Sequence, residues 1–189
     1  MRIAIFGGRF DPIHNGHIAV AKEVLKTGYA DEVWLSIENQ HQWRPIVASS
    51  RDRKAMAELA IQGLDKLKID MTPIELGGTT ETIQVVRALR EKYPEHEFVF
   101  VVGSDQLPNF HKWSHWEDLQ KEVQFLMVAR KGSPLDNVPE NVTLIEDSNY
   151  VPLDDSATRI RELIHAGKSI SGLVPKAVES YIIEHKLYK

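Results

Sequence analysis

Hydrophobic positions along the chain follow two periods, one typical of buried strands and the other of amphipathic helices. Short apolar or alternating runs predict six strands, which are Arg2–Phe6, Glu32–Ile37, Leu67–Met71, Phe98–Val102, Val123–Ala129 and Val142–Ile145. Helical spacing predicts six helices, which are His17–Lys26, Arg51–Gln62, Thr80–Lys92, Trp116–Lys121, Ser156–Ala166 and Pro175–Glu184. Because strands alternate with helices throughout, the pattern predicts an α/β fold with a doubly wound, mostly parallel sheet covered on both faces.

Glycines and one aperiodic segment mark where these elements end. Gly28 and Gly167 each follow the last turn of a predicted helix. Glu38–Ser49 has no period, which predicts a mobile loop. We see no internal repeat, low-complexity tract or interdomain linker. We therefore expect one domain over residues 1–189, with C-terminal helices from about 156–189 packed against the sheet.

Composition limits the function classes without selecting one. Hydrophobic residues make up 42% and charged residues 26% of the 189 residues, which is ordinary for a globular protein with a core. Cysteine is absent, which excludes disulfides and thiolate metal sites. The net charge of −4 argues against general nucleic-acid binding, and no apolar run is long enough to span a membrane. Since the N-terminus lacks the pattern of a signal peptide, we expect a cytoplasmic location.

The stretch "FGGRFDPIHNGH" follows the first predicted strand and contains the first candidate chemistry. Gly7-Gly8 lies at the carboxyl end of that strand, which is the edge where open parallel sheets bind ligands. Glycine would let backbone N–H groups approach a phosphate, and a simple turn is an equally good interpretation. The spacing is not G-x-G-x-x-G, so the glycines do not specifically support a dehydrogenase.

His14 and His17 lie three residues apart at the start of a predicted helix, and so they share one face. A zinc site has weak support, because a further ligand is not obvious and H-E-x-x-H is absent. Imidazole donors aimed at a phosphoryl group suit the adjacent glycines and would stabilise charge that develops in a transition state. The pair favours a phosphate site, with packing as the alternative.

A second anion site is indicated by "DDSATRIRELIHAG", residues 154–167. The hydroxyls of Ser156 and Thr158 precede the helical pattern and can cap the helix or bind an anion. Arg159 and Arg161 follow in the first turn, where the helix dipole disfavours positive charge. A bound phosphate would offset that conflict, and an ordinary capped, charged helix is the alternative.

Three more residues have both a functional and an ordinary interpretation. Asp105 follows the strand that ends at Gly103, where an acid either contacts ribose or forms an Asx turn. Trp113 lies in a polar segment and either stacks on a flat ring or packs in the core. Arg130 follows Val123–Ala129 and either reaches a phosphate or is merely exposed.

These stretches resemble the signatures of a known enzyme superfamily. "GGRFDPIHNGH" resembles G-G-[TS]-F-D-P-x-H-x-G-H, and "SATRIR" resembles S-[ST]-T-x-I-R, both of which are signatures of nucleotidyltransferases. "VVGSDQLPNFHKW", "VARKG" and "LVPKAVESYIIEHKLY" resemble, in the same order, segments of bacterial nicotinate-nucleotide adenylyltransferases. The resemblance extends from the first strand to the C-terminus.

The resemblance implies a Rossmann-like fold and an adenylyl transfer. Nicotinate mononucleotide and ATP would give nicotinate adenine dinucleotide and pyrophosphate, by in-line attack of the 5′-phosphate on the α-phosphorus. Catalysis would be positioning plus electrostatics, without a covalent intermediate. Mg²⁺ would travel with ATP, held largely by phosphates and water. The implied partners are ATP and a pyridine mononucleotide, with no nucleic acid and no membrane, and a homo-oligomer is left open.

The resemblance also assigns roles to matching positions. The implied catalytic residues, which contact the ATP phosphates, are His14, His17 and Arg161. The implied ATP-binding residues are Gly7, Gly8, Arg9, Phe10, Gly103, Asp105, Arg130, Ser156, Thr158 and Ile160. Among these, Asp105 would contact ribose and Ile160 would lie near the adenine. Trp113 would stack on the pyridine ring, and the implied mononucleotide-binding residues are Thr79, Trp113 and Arg44.

Three departures from the family pattern bear on the substrate. Arg9 stands where the family mostly has Thr or Ser, and it adds positive charge beside the phosphates. "NQHQWRP" occupies the place of P-P-H-[KR], with Arg44 as the substitute for the basic residue. "GGTTET" occupies the place of S-Y-T-x-D-T, with Gly77 and Gly78 for Ser and Tyr. The alternatives are nicotinamide mononucleotide or another phosphate monoester as acceptor, a nucleotide-binding sensor without turnover, and a zinc hydrolase.

Overall fold

A single parallel sheet is the centre of the computed structural model, which describes residues 1–40, 45–129, 138–145 and 156–189. The strands are β1 (Arg2–Gly8), β2 (Glu32–Ile37), β3 (Leu67–Asp70), β4 (Glu97–Gly103), β5 (Gln124–Val128) and β6 (Val142–Ile145). They lie in the order β3-β2-β1-β4-β5-β6, and every neighbouring pair is parallel. This is the strand order of a doubly wound fold, so the predicted fold class is confirmed.

Helices connect the strands, as the alternating pattern predicts. The α-helices are α1 (Asn15–Lys26), α2 (Ser50–Ala60), α3 (Thr72–Leu76), α4 (Thr82–Lys92), α5 (Trp116–Glu122), α6 (Ala157–His165) and α7 (Lys176–Glu184). A 3-10 helix covers Ser104–Lys112. The sequence did not predict α3 or the 3-10 helix. The first has only five residues, and the second contains Pro108, so neither shows a clear helical period.

Each face of the sheet is covered by its own core, because successive residues of a strand point to opposite faces. Ala4 and Phe6 belong to the first core, which includes buried residues of α1, α2, α6 and α7. Ile3 and Ile5 belong to the second core, which includes buried residues of α4, α5 and the 3-10 helix. The helices α1 and α6, whose first turns contain parts of the two signatures, therefore lie on the same face.

The segment after β2 leads from the sheet to α2. Residues 38–40 and 45–49 form neither helix nor strand, and residues 41–44 of the predicted loop lie outside the described residues. In the part of the chain that the structure describes, no helix has the length and apolar character needed to cross a membrane.

Candidate active site

The crevice at the carboxyl ends of β1 and β4 is where this topology places a ligand. β1 pairs with β2 on one side and with β4 on the other. The segments that follow β1 and β4 therefore lead to strands on opposite sides of this pair, which leaves a crevice between them. Gly8 is the last residue of β1, and Gly103 is the last residue of β4. The candidate residues that follow the two strands therefore lie at one edge of the sheet.

The first two glycines of the first signature, Gly7 and Gly8, are strand residues rather than turn residues. β1 continues through Gly8, beyond the predicted end at Phe6, and neither glycine has a positive φ. A Cβ on Gly7 would lie 3.1 Å from the ring of Phe100, and one on Gly8 would lie 3.0 Å from the ring of Phe10. The turn interpretation is therefore wrong, and packing of aromatic rings on both sides explains why these positions lack side chains.

Phe10 begins the turn that follows β1. Its φ of 47° is in the left-handed region, which is uncommon for a bulky residue. Its side chain is buried, and its ring lies edge-on to that of His17 with the centroids 5.0 Å apart. Phe10 therefore supports His17 through its side chain, and any contact with ATP would have to come from its backbone.

His14 and His17 are in direct contact at the N-terminus of α1. Their rings are stacked with centroids 3.6 Å apart, and the backbone N–H of His14 donates to Nδ1 of His17 at 3.2 Å. Since Nδ1 of His17 accepts a hydrogen bond, the proton of the neutral ring is on Nε2, which makes Nε2 a donor group. The pair therefore places imidazole donors where the dipole of α1 favours an anion.

Arg161 joins the second signature to the first. Its Nη1 donates to the backbone oxygen of Asp11 at 2.7 Å, across 150 positions of sequence, and its Nη2 donates to the hydroxyl of Thr158 at 3.3 Å. Asp11 is three residues before His14, so the guanidinium lies beside the turn formed by residues 9–17. We call this segment the histidine turn. The two stretches that the sequence indicated as anion sites, and that the resemblance assigned to one triphosphate, are thus neighbours.

The start of α6 has both capping and core residues. Ser156 is its N-cap, with the hydroxyl accepting from the backbone N–H of Arg159 at 3.2 Å. Thr158 is exposed beside Arg161. Ile160 is fully buried in the first core. Its side chain is a packing element, and only its backbone could contact an adenine.

Asp11 is a central residue of the site that sequence reasoning left without a role. It is 1% exposed, and its carboxylate accepts from the backbone N–H groups of Val47 at 2.7 Å and Ala48 at 3.0 Å. The hydroxyl of Tyr188 also donates to it at 2.8 Å. Its place in the first signature was the only sequence signal, because its partners are 36 to 177 positions away.

Arg53 is a second residue that was missed, since a buried arginine in a helix has no sequence pattern. Its guanidinium donates to the backbone oxygens of Arg9 at 2.8 Å and Glu38 at 2.6 Å. Arg53 therefore joins the histidine turn to the segment after β2. Burial lowers the pKa of Arg53, and the charge of Asp11 opposes that shift. Burial raises the pKa of the Glu38 carboxyl, while Arg9 and Arg53 lower it. Arg9 itself donates to the backbone oxygen of Pro45 at 3.4 Å.

The side predicted to receive the mononucleotide is built from aromatic packing. Trp113 is half-buried, edge-on to Phe100 with ring centroids 6.2 Å apart and tilted against Phe110 at 5.1 Å. Since the ring of Phe100 also lies against Gly7, Trp113 is connected to β1 through one residue. Asp105 is exposed in the first turn of the 3-10 helix, where Oδ2 accepts from the side chain of Gln106 at 2.8 Å.

The Gly77-Gly78 segment lies beside the end of β2. Both glycines have positive φ, 75° and 62°, which a side chain would strain. The side chain of Asn39 donates to the oxygen of Gly78 at 3.1 Å, and Thr79 is exposed. Gly77 and Gly78, which stand where the family pattern has Ser and Tyr, thus adopt positive φ values that favour glycine.

Two predicted residues, Arg44 and Arg130, lie outside the described residues. Within the described ranges, no group of three or more His, Asp or Glu side chains could hold a metal ion. The donor groups around Asp11 and His14 are Nε2 of His17, the guanidinium of Arg161, which binds the Asp11 carbonyl, and the N-terminus of α1. This set is suited to phosphate oxygens.

Comparisons with known proteins agree over the length of the chain. The model of a cytidylyltransferase-like family matches residues 5–163. Proteins named probable nicotinate-nucleotide adenylyltransferase are 34% identical in Bordetella avium, over all of this chain and 98% of that one, and 37% identical in Halalkalibacterium halodurans, over all of this chain and 91% of that one. The solved structure of Plasmodium falciparum nicotinic acid mononucleotide adenylyltransferase complexed with NaAD has a TM-score of 0.84 at 23% identity, covering 99% of this chain and 97% of that one. This last likeness shows the fold.

Proposed function

The chain belongs to the nicotinate-nucleotide adenylyltransferase family of cytidylyltransferase-like proteins, and from that premise we propose that it transfers the adenylyl group of ATP to nicotinate mononucleotide. A phosphate oxygen of the mononucleotide forms a bond to the α-phosphorus. The bond from that phosphorus to the oxygen bridging to the β-phosphorus breaks, and its electron pair leaves with pyrophosphate. The products are nicotinate adenine dinucleotide and pyrophosphate.

One observation carries this proposal: Arg161 donates to the backbone of Asp11, which brings the second signature against the histidine turn. Negative charge grows on the leaving pyrophosphate and on the α-phosphoryl oxygens during such a transfer. The Nε2–H of His17 and the guanidinium of Arg161 would stabilise that charge, together with the N-terminus of α1. His14 would contact the phosphates beside His17.

The remaining residues would hold ATP on either side of the reacting phosphorus. The backbone of Gly7 and Gly8 would contact the phosphates at the end of β1, while the rings of Phe100 and Phe10 occupy the sides where side chains would lie. Ser156 and Thr158 would hold the β- and γ-phosphates at the start of α6. Asp105 would contact ribose.

A divalent cation would enter this site together with ATP. The converging protein groups are hydrogen-bond donors, which repel a cation but suit the oxygens of a triphosphate. We propose Mg²⁺ as this cation, coordinated mainly by phosphate oxygens and water. It would neutralise part of the charge on the triphosphate.

Trp113 and Thr79 would bind the acceptor. The exposed part of the Trp113 indole would stack on the pyridine ring, while the rest of it packs on Phe100 and Phe110. Thr79 would contact the pyridine substituent, with its backbone held by the left-handed glycines before it.

The test is a pyrophosphate-release assay with ATP and each of the two pyridine mononucleotides. We expect turnover with nicotinate mononucleotide and a lower kcat/KM with nicotinamide mononucleotide. The reverse preference would change the acceptor and leave the reaction class intact. Pyrophosphate release with neither acceptor would contradict the pyridine assignment.

A further inference from the structure

Tyr188 contacts the candidate active site but has no part in the proposed adenylyl transfer. Its hydroxyl donates to Oδ1 of Asp11 at 2.8 Å, from 177 positions later in the sequence. The Tyr188 side chain is buried among residues of the first core, and its backbone has a left-handed φ of 63°. We infer that Tyr188 is a positioning residue, which acts through Asp11 to hold the histidine turn in its reactive geometry. This inference rests on the proposed function.

Asp11 can couple Tyr188 to the histidine turn because its carboxylate and its backbone carbonyl bind different parts of the site. Its carboxylate binds the backbone of Val47 and Ala48, which fixes the segment before α2. Its carbonyl oxygen accepts from Arg161. A rotation of Asp11 would therefore move the guanidinium relative to the histidines, and such a displacement lowers the rate of a reaction that depends on positioning.

The buried setting explains why one hydroxyl matters to this carboxylate. A buried charge is costly unless several donors satisfy it, and Tyr188 supplies one of the three hydrogen bonds described for the Asp11 side chain. Burial, followed by the neighbouring Asp11, raises the pKa of Tyr188, so the phenol keeps its proton and remains a donor at neutral pH. Removal of the hydroxyl would leave Asp11 free to adopt other rotamers.

Tyr181 offers a matched comparison within the same part of the chain. Its hydroxyl donates to Oδ1 of Asp52 at 2.9 Å, which joins α7 to α2 by the same kind of bond. Ser49, the N-cap of α2, accepts from the backbone N–H of Asp52 and donates to its carboxylate, and Asp52 has no described bond to the histidine turn. Tyr181→Phe therefore removes a tyrosine–aspartate hydrogen bond without changing the contacts of Asp11.

The experiment compares Tyr188→Phe with Tyr181→Phe, each measured by steady-state pyrophosphate release, thermal unfolding and amide hydrogen exchange. We expect Tyr188→Phe to lower kcat about tenfold with the KM values for ATP and mononucleotide within about twofold of wild type. Tyr181→Phe should keep kcat. Both should lower Tm, Tyr188→Phe by more because it removes a donor from a buried carboxylate, and only Tyr188→Phe should speed exchange of the Val47 and Ala48 amides.

Several outcomes would overturn the inference. They are an unchanged kcat in Tyr188→Phe, an equal loss of kcat in both variants, or a Tyr188→Phe protein already unfolded at the assay temperature. The last would assign the hydroxyl to overall stability. A wild-type chain without turnover would contradict the proposed function instead, and hydrogen exchange at Val47 and Ala48 would still decide whether Tyr188 holds this segment.

Discussion

The phosphate side and the acceptor side of the site are held by different kinds of interaction. On the phosphate side, the buried side chains of Asp11 and Arg53 bind backbone groups of the histidine turn and its neighbours, and Tyr188 donates to the Asp11 carboxylate. On the acceptor side, Trp113 rests on other rings and Thr79 is exposed after two left-handed glycines. Directional bonds between buried groups define positions more narrowly than ring packing does.

This contrast suggests a division of labour between reaction and selectivity. The groups that would stabilise the transition state are connected to distant segments, so a small change there should lower kcat. The groups that would contact the pyridine ring have an exposed surface, so a change there should alter KM for the mononucleotide.

Replacing His17 should cause the largest loss. We expect His17→Ala to lower kcat at least about 100-fold, the scale for removal of one transition-state donor. Pyrophosphate release under saturating substrates measures the effect. His165→Ala removes an exposed histidine in the last turn of α6 and should keep full activity. A near-normal kcat in His17→Ala would exclude the phosphate role.

Arg161→Lys should cause the second-largest loss, because lysine cannot donate to Asp11 and Thr158 with the fixed geometry of a guanidinium. We expect kcat to fall about 30-fold, the scale for a lost charge-assisted hydrogen bond. Arg159→Lys is the matched control, as Arg159 is exposed two residues earlier on the same helix. Equal effects in the two variants would mean that general charge, rather than the bond to Asp11, is responsible.

On the acceptor side, Trp113→Ala should raise KM for the mononucleotide about tenfold, as expected for a lost ring stack. The KM for ATP and kcat should change much less. Trp116→Ala is the control, because Trp116 packs in the same aromatic cluster, with its ring 4.9 Å from that of Phe110. A loss of kcat without a change in KM would place Trp113 on the phosphate side of the division.

Glu38→Gln should give the smallest effect, on stability. Burial raises the pKa of Glu38 above its ordinary value of 4.5. As pH rises from that value through the folded-state pKa, the unfolded chain loses a proton that the folded chain keeps, so the free energy of unfolding falls. Glu38→Gln removes this loss, and its Tm relative to wild type should be a few degrees higher at pH 7 than at pH 4.

The control for Glu38→Gln is Glu91→Gln, which changes an exposed carboxylate on α4. Its Tm relative to wild type should be the same at both pH values. If the Tm difference between Glu38→Gln and wild type were the same at pH 4 and pH 7, Arg9 and Arg53 would fully offset the effect of burial on the pKa of Glu38.

The sequence was sufficient to predict the sheet, because buried parallel strands and amphipathic helices have distinct periods. All six strands occur at or near their predicted positions. The contact between His14 and His17 was also predictable, since a spacing of three places two side chains on one helical face.

The bonds that organise the phosphate side had no local signal. Asp11 binds Val47, Arg161 and Tyr188, and each of these contacts depends on how the whole sheet is wound. The turn interpretation of Gly7 and Gly8 failed for a related reason. The rings that exclude their side chains include Phe100, which belongs to another strand.

The bond between Asp11 and Tyr188 also affects when the complete geometry of the site can form during synthesis. Residues 1–17 leave the ribosome long before Arg161 and Tyr188 have been added, since translation proceeds from the N-terminus. The histidine turn therefore lacks two of its hydrogen-bond donors until Arg161 and Tyr188, which lie 150 and 177 positions after Asp11, have been translated. A nascent chain that stops before Tyr188 would contain both signatures and still lack the geometry that we infer for turnover.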